Sequence, residues 1–293
     1  MIGWKLGSTA DADSRLFAET TLGMAECHCS GQQFEPESVQ QSIRIFREYT
    51  GVPPTERQGY GEVLSTVFFF RNATLRTAYA NPDLPRKMIP MFQELLRSPQ
   101  MRHYPELSLM AKESTAEMLL AEAPFEAPKE AEASIRMAVQ EYREAIADGE
   151  TAGESPNVVV WAKLANALRQ LAARVSGSTG TPMLLESVGI FGRFLYPYDP
   201  AHASRDWFVF QSWMAKTLLL LGERNNNFEM VCEAYTRSIV AERGLAERLS
   251  PEVLLAAQDD ALQILESMKT RFGEQKSREC QAAERAFVKQ FGP

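Results

Sequence analysis

The chain has 293 residues, enough for one large domain or for an array of small units, and carries a formal net charge of −7. That balance excludes a broadly basic face, so nonspecific binding to a nucleic-acid backbone is not expected. Its four cysteines, Cys27, Cys29, Cys232 and Cys280, are too sparse for a disulfide scaffold and point to a reducing compartment.

Taken in order, the opening "MIGWKLGSTADADSRLF" has no apolar run of signal-peptide length and no myristoylation pattern. The longest apolar runs, such as "LLLLG" at 218–222, are too short to span a bilayer, so a cytoplasmic location without membrane contact is expected. The stretch "ESVQQSIRIFREYTG" sets Val39, Ile43, Phe46 and Tyr49 on one helical stripe, and Gly51 ends it. The strand-like runs "VFFF" (67–70) and "VVVW" (158–161) each lie inside a longer helical pattern. Breakers at 51–59, 81–85, 123–128, 148–156, 176–182, 196–200 and 243–251 divide the chain. "SPEVLLAAQDDALQILESMKTRFG" opens on a cap serine and Pro251 and closes on Gly273. The result is about twelve helices in six antiparallel hairpins, near 12–49, 59–97, 106–147, 157–196, 203–243 and 251–291. Fold class is therefore all-α, with no linker that would divide 1–293 into separate domains.

A short pattern recurs along the chain. Phe46, Phe92, Tyr142, Phe191 and Tyr235 follow one another at intervals of 44 to 50 residues. Four residues before each stands Ser42, Met88, Ala138, Ser187 or Val231, on the same helix face. Ala283 and Phe287 make a weaker sixth copy. The preceding helix of each pair has a small residue at its centre: Leu22-Gly23, Thr115-Ala116, Leu164-Ala165 and Met214-Ala215.

These motifs resemble the tetratricopeptide-like helical repeats. "Trp161-x-x-Leu164-Ala165-x-x-Leu168" is similar to the first helix of that family, and "Ala138-x-x-x-Tyr142-x-x-Ala145" to the second. "LLGER" at 220–224 followed by "NNNFEMVCEAYTRSIV" looks like the family's long-helix variants, since the intervals here exceed the usual repeat of about 34 residues. The resemblance implies an α-α superhelix, a solenoid of about six hairpins. One hairpin alone cannot bury both apolar faces, whereas stacked hairpins share a continuous core. An irregular all-α domain, whose buried helices need aromatics anyway, is the alternative.

Chemistry-bearing patterns are few. Cys27-His28-Cys29 has no second Cys/His pair at zinc spacing, and Cys232 and Cys280 read as isolated. "SGSTG" at 176–180 lacks the lysine of a phosphate loop. Asp259, Asp260 and Glu266 could join an inter-helix Mg²⁺ pocket only with a second acidic motif, which is missing. No cofactor, metal or catalytic residue is therefore expected. The resemblance implies recognition instead, with the first helix of each pair lining a concave surface. Carried over, that surface presents Glu113, Glu117, Asn166, Arg169, Gln170 and Lys216, with Met24, Cys27, Glu62, Phe69 and Phe70 nearer the N-terminus. Lys163-x-x-Asn166 falls one residue short of the family's carboxylate-clamp spacing. The expected function is that of a non-catalytic scaffold or adaptor for a protein or peptide partner. An all-α enzyme and a self-assembling structural protein stay open beside it, and the sequence sets no oligomeric state.

Overall fold

The computed structural model describes residues 105–151, 158–175, 177–195, 203–246 and 251–290, with Ile89, Pro90, Gln93, Leu96 and Arg97 also helical. The described residues are all-α: eight helices and no strand. In chain order these are α1 (Pro105–Glu122), α2 (Pro128–Thr151), α3 (Val158–Arg174), α4 (Gly180–Leu195), α5 (Arg205–Asn225), α6 (Phe228–Ala246), α7 (Pro251–Phe272) and α8 (Glu274–Gln290). The hairpins expected at 12–49 and 59–97 lie outside the described residues, apart from those five positions. By its contacts the chain divides into two compact units, Met1–Ser155 and Pro156–Pro293.

In the first unit α1 packs on α2. The repeated positions explain the contact. Ala116, Ala138, Tyr142 and Ala145 have no exposed surface, so small residues let the helices close around one large ring. The breaker signal "DGET" misleads: α2 continues through Gly149 to Thr151. Asp148 receives a 2.7 Å bond from Lys112 Nζ across the hairpin, and Gly149 is buried, so tertiary contact holds the turn that local propensity would end.

Glu144 lies 3.5 Å from the same ammonium. Burial alone would lower the Lys112 pKa; the hydrogen bond and charge of Asp148, with Glu144 behind it, outweigh that and hold it above 10.5. The folded state thus binds this proton more tightly than the unfolded state. The clamp contributes fully below pH 10.5 and is lost as pH rises through the folded value. A pH series of chemical denaturation should show stability falling above about pH 10.5, with a smaller fall in Lys112→Met.

In the second unit the helices pack in chain order. Each lies against the next, and α3 against α5, α5 against α7, and α6 against α8. No described pair further apart in the chain makes a comparable contact. The α3–α4–α5 junction shows how the repeated residues work. Ser187, on α4, is wholly buried; its hydroxyl donates to the Ala165 carbonyl of α3 at 2.8 Å and lies 3.3 Å from Thr217 Oγ1 of α5. The small residue four before the aromatic is thus the point where three helices meet. Phe191, one turn on, is also without exposed surface.

Helix α5 begins on Ser204, whose side chain accepts from the Trp207 N–H, and ends on Asn226 in the left-handed region at φ 49°. It meets α6 at two glycines. A Cβ on Gly222 would lie 2.7 Å from Val231 Cγ2, and one on Gly244 would lie 2.1 Å from the Phe208 ring. The Phe208 ring covers Gly244, and α6 runs past the expected break at 243 to Ala246. Arg224, the arginine of "LLGER", caps α3: its guanidinium donates to the carbonyls of Ala172, Val175 and Gly177. "SGSTG", expected as a loop, is largely ordered into a short 3-10 turn (Gly177–Thr179) that leads into α4 at Gly180.

The last hairpin departs from expectation twice. Ala283 is exposed, and between Glu274 and Arg285 the buried residues of α8 are Ser277, Cys280 and Glu284. The side chain of Phe287 lies outside the described residues. The cysteines read as isolated are joined: Cys232 of α6 and Cys280 of α8 form a disulfide, with Cα atoms 5.6 Å apart. Sequence separation hid the pair, and packing of α6 on α8 brings it together. No described helix is long and apolar enough to cross a membrane.

Candidate functional site

The residues expected on a recognition surface fall in two places. Glu113 and Glu117 stand one turn apart on α1 of the first unit. Glu113 is buried and Glu117 half-buried. Asn166, Arg169, Gln170 and Lys216 belong to the second unit, on α3 and α5, and all four are partly exposed. Met24, Cys27, Glu62, Phe69 and Phe70 lie outside the described residues.

Three of the four second-unit residues form one polar cluster, completed by two that sequence reasoning missed. On α3, Arg169 Nε and Nη2 both donate to Asn166 Oδ1, at 3.1 and 2.8 Å. The spacing of three puts the pair on one helix face. On α5, Ser212 and Lys216 are likewise one turn apart. Both reach Asp260 of α7: Lys216 Nζ lies 2.8 Å from Asp260 Oδ2, and Ser212 Oγ donates to the same oxygen at 3.4 Å. Asp260 also acts on Arg169 through its field. The cluster therefore spans α3, α5 and α7, the first helices of three successive hairpins. Gln170 sits beside it in the chain.

Arg169 is the unusual member. Burial pushes its guanidinium down to about 10 from 12.5, against the opposing pull of Asp260. Yet part of its surface is open to solvent. Among the described residues no carboxylate comes within ion-pair distance of it. Asn166 Oδ1 is its hydrogen-bond acceptor, which leaves part of a five-donor fork unused. Summed over Arg169, Lys216 and Asp260, the cluster holds one cation in excess.

Asp260 was the legible omission. Its neighbour Asp259 is exposed, so the pair splits between solvent and the cluster. The buried stripe Ala261, Ile264 and Met268 fixes which of the two faces inward. Ser212 carries no sequence signal at all.

Two of the carboxylates weighed for an enzymatic pocket do not face the cluster. Asp259 and Glu266 are exposed, and Glu266 pairs with Lys269 on its own helix at 3.1 Å. Among the described residues no group of three or more His, Cys, Asp or Glu could hold a metal ion. In comparison with known proteins, no family model matches the chain, and no curated protein matches it.

Proposed function

We propose that this protein is a non-catalytic recognition module, a tetratricopeptide-like array whose α3, α5 and α7 together hold an extended peptide or a partner helix. In the second unit the packing of each helix on the next, with α3 on α5, α5 on α7 and α6 on α8, supports the array. The single observation that carries the site is Arg169: a desolvated guanidinium, partly open, with unused donors and, among the described residues, no carboxylate within ion-pair distance. An isolated buried charge costs folding energy, and such groups cluster where proteins bind or react. Asn166 fixes the plane of the fork, and Lys216 adds a second cation that Asp260 holds in place until a partner's carboxylate competes for it. A partner presenting one or two carboxylates complements the excess cation.

Partners captured by the wild-type chain from its native source supply the test. With Arg169→Glu and Lys216→Glu combined, the captured partner should bind about thirtyfold more weakly or worse, since a desolvated charge contact is lost and a repulsion added. Unchanged binding by the folded variant would put recognition elsewhere.

A further inference from the structure

Helix α8 is an odd terminal element. Between Glu274 and Arg285 it buries only Ser277, Cys280 and Glu284, and no apolar side chain larger than cysteine. Two of those three are poorly served. Ser277 Oγ and Glu284 Oε1 are buried and have no hydrogen-bond partner among the described residues. Among the described residues, Glu284 pairs only with Arg243, 3.7 Å away on a largely exposed side chain. A buried oxygen without a partner opposes burial, and water would satisfy both groups if α8 lifted away. Gly273, at φ +89°, is the one residue between α7 and α8. Lys276 of α8 also sets its ammonium 5.0 Å from the Phe228 ring centroid of α6, but the covalent tie of this polar segment to the stack is the Cys232–Cys280 bond, which closes a 48-residue separation.

We propose that Cys232 and Cys280 form a redox-operated clasp that holds α8 on α6 and α7, and that a dithiol reductant releases the helix. Cys232 is partly exposed and Cys280 is buried, so the clasp takes its incoming thiolate at Cys232, the more open of the two. The reductant's sulfur bonds to Cys232 Sγ, the S–S bond breaks, and Cys280 leaves as a thiolate that takes a proton. The reductant's second thiol then displaces Cys232. Its own disulfide closes, and two electrons and two protons have passed to the protein. Both protein sulfurs end as thiols. With the bond gone, the buried face of α8 between Glu274 and Arg285 keeps two unsatisfied oxygens and no apolar side chain larger than cysteine, so the segment opens on its glycine joint. In a compartment poised to reduce such pairs, the surface of α6 and α7 under α8 would be uncovered. The inference stands apart from the ligand reading above, since it uses none of the residues of the polar cluster.

Oxidised full-length protein and protein treated with dithiothreitol are compared by amide hydrogen exchange and by maleimide labelling of each cysteine without denaturant. Before reduction neither Cys232 nor Cys280 should label. After it both should label, and amides of 274–285 should exchange at least about tenfold faster while those of α3 and α4 hold. The Cys232→Ser, Cys280→Ser double variant should show the fast exchange with or without reductant, which separates the effect from Cys27 and Cys29. If that variant does not fold, reduction of the unmodified chain still decides the matter. Undiminished protection of α8 after both cysteines label would make the bond passive and overturn the clasp. So would labelling before reduction, or exchange that rises equally through α3 and α4.

Discussion

Phe191→Ala is expected to destabilise the protein by about 3–5 kcal/mol, lowering the melting temperature by roughly 2–4 °C for each kcal/mol. The ring has no exposed surface. Its ring stands edge-to-face with Phe194 of the same helix at 5.9 Å, and Phe194 meets Phe210 of α5 at 5.6 Å, so the loss removes the support behind the aromatic contact between successive hairpins. Ser187 and Thr217 border the same junction. Their hydroxyls already bond one another or helix carbonyls, so they cannot move in to fill the void. Ala283→Ser is the matched control: the position reads as part of the same repeat but is exposed, and the change should stay within about 0.5 kcal/mol. Thermal and denaturant unfolding check both. A cost under about 1 kcal/mol at Phe191 would mean that the recurring aromatic does not bind neighbouring hairpins together.

Arg169→Met is expected to lose partner capture while leaving the protein as stable as before, or up to about 2 kcal/mol more so. The sign follows from the guanidinium itself. Its folded pKa, about 10, lies below the 12.5 of the free group, so the folded state holds the proton less tightly than the unfolded one. The penalty is present in full below pH 10 and is relieved only above it. A methionine of similar reach keeps the packing and removes the penalty. Asp260→Asn should act in the opposite direction, costing about 1–2 kcal/mol, because Lys216 then loses its 2.8 Å partner and Arg169 its opposing charge. Melting curves of the two variants, beside capture of the same partner, give the comparison. An Arg169→Met protein that is more than about 1 kcal/mol less stable would make the arginine a structural brace.

Periodicity, with the breaker and cap residues between segments, locates the eight described helices, with ends that differ by about a turn or less. The stripes Ala138–Tyr142–Ala145 and Leu164–Ala165–Leu168 are buried along their whole length and leave a plain 3.6-residue signal. The errors arise where a distant partner outweighs local preference. Lys112 carries α2 past "DGET", Phe208 shelters Gly244, and a cross-helix disulfide selects Cys280 over Ala283 as the buried place on α8. The candidate site is half legible. Asn166, Arg169 and Lys216 come from repeat alignment, and the structure groups them. Asp260 and Ser212 enter through contacts between residues 44 to 48 apart, which no local pattern reports.

Native-state hydrogen exchange of full-length Phe191→Ala in graded denaturant tests the neighbour-to-neighbour packing of the second unit most directly. If each helix draws its stability from adjacent ones, α3, α4 and α5 lose protection first and most, and α7 keeps values close to those of the unmodified chain. Equal loss across α3 to α8 at every denaturant concentration would show one indivisible core and contradict the stacked array.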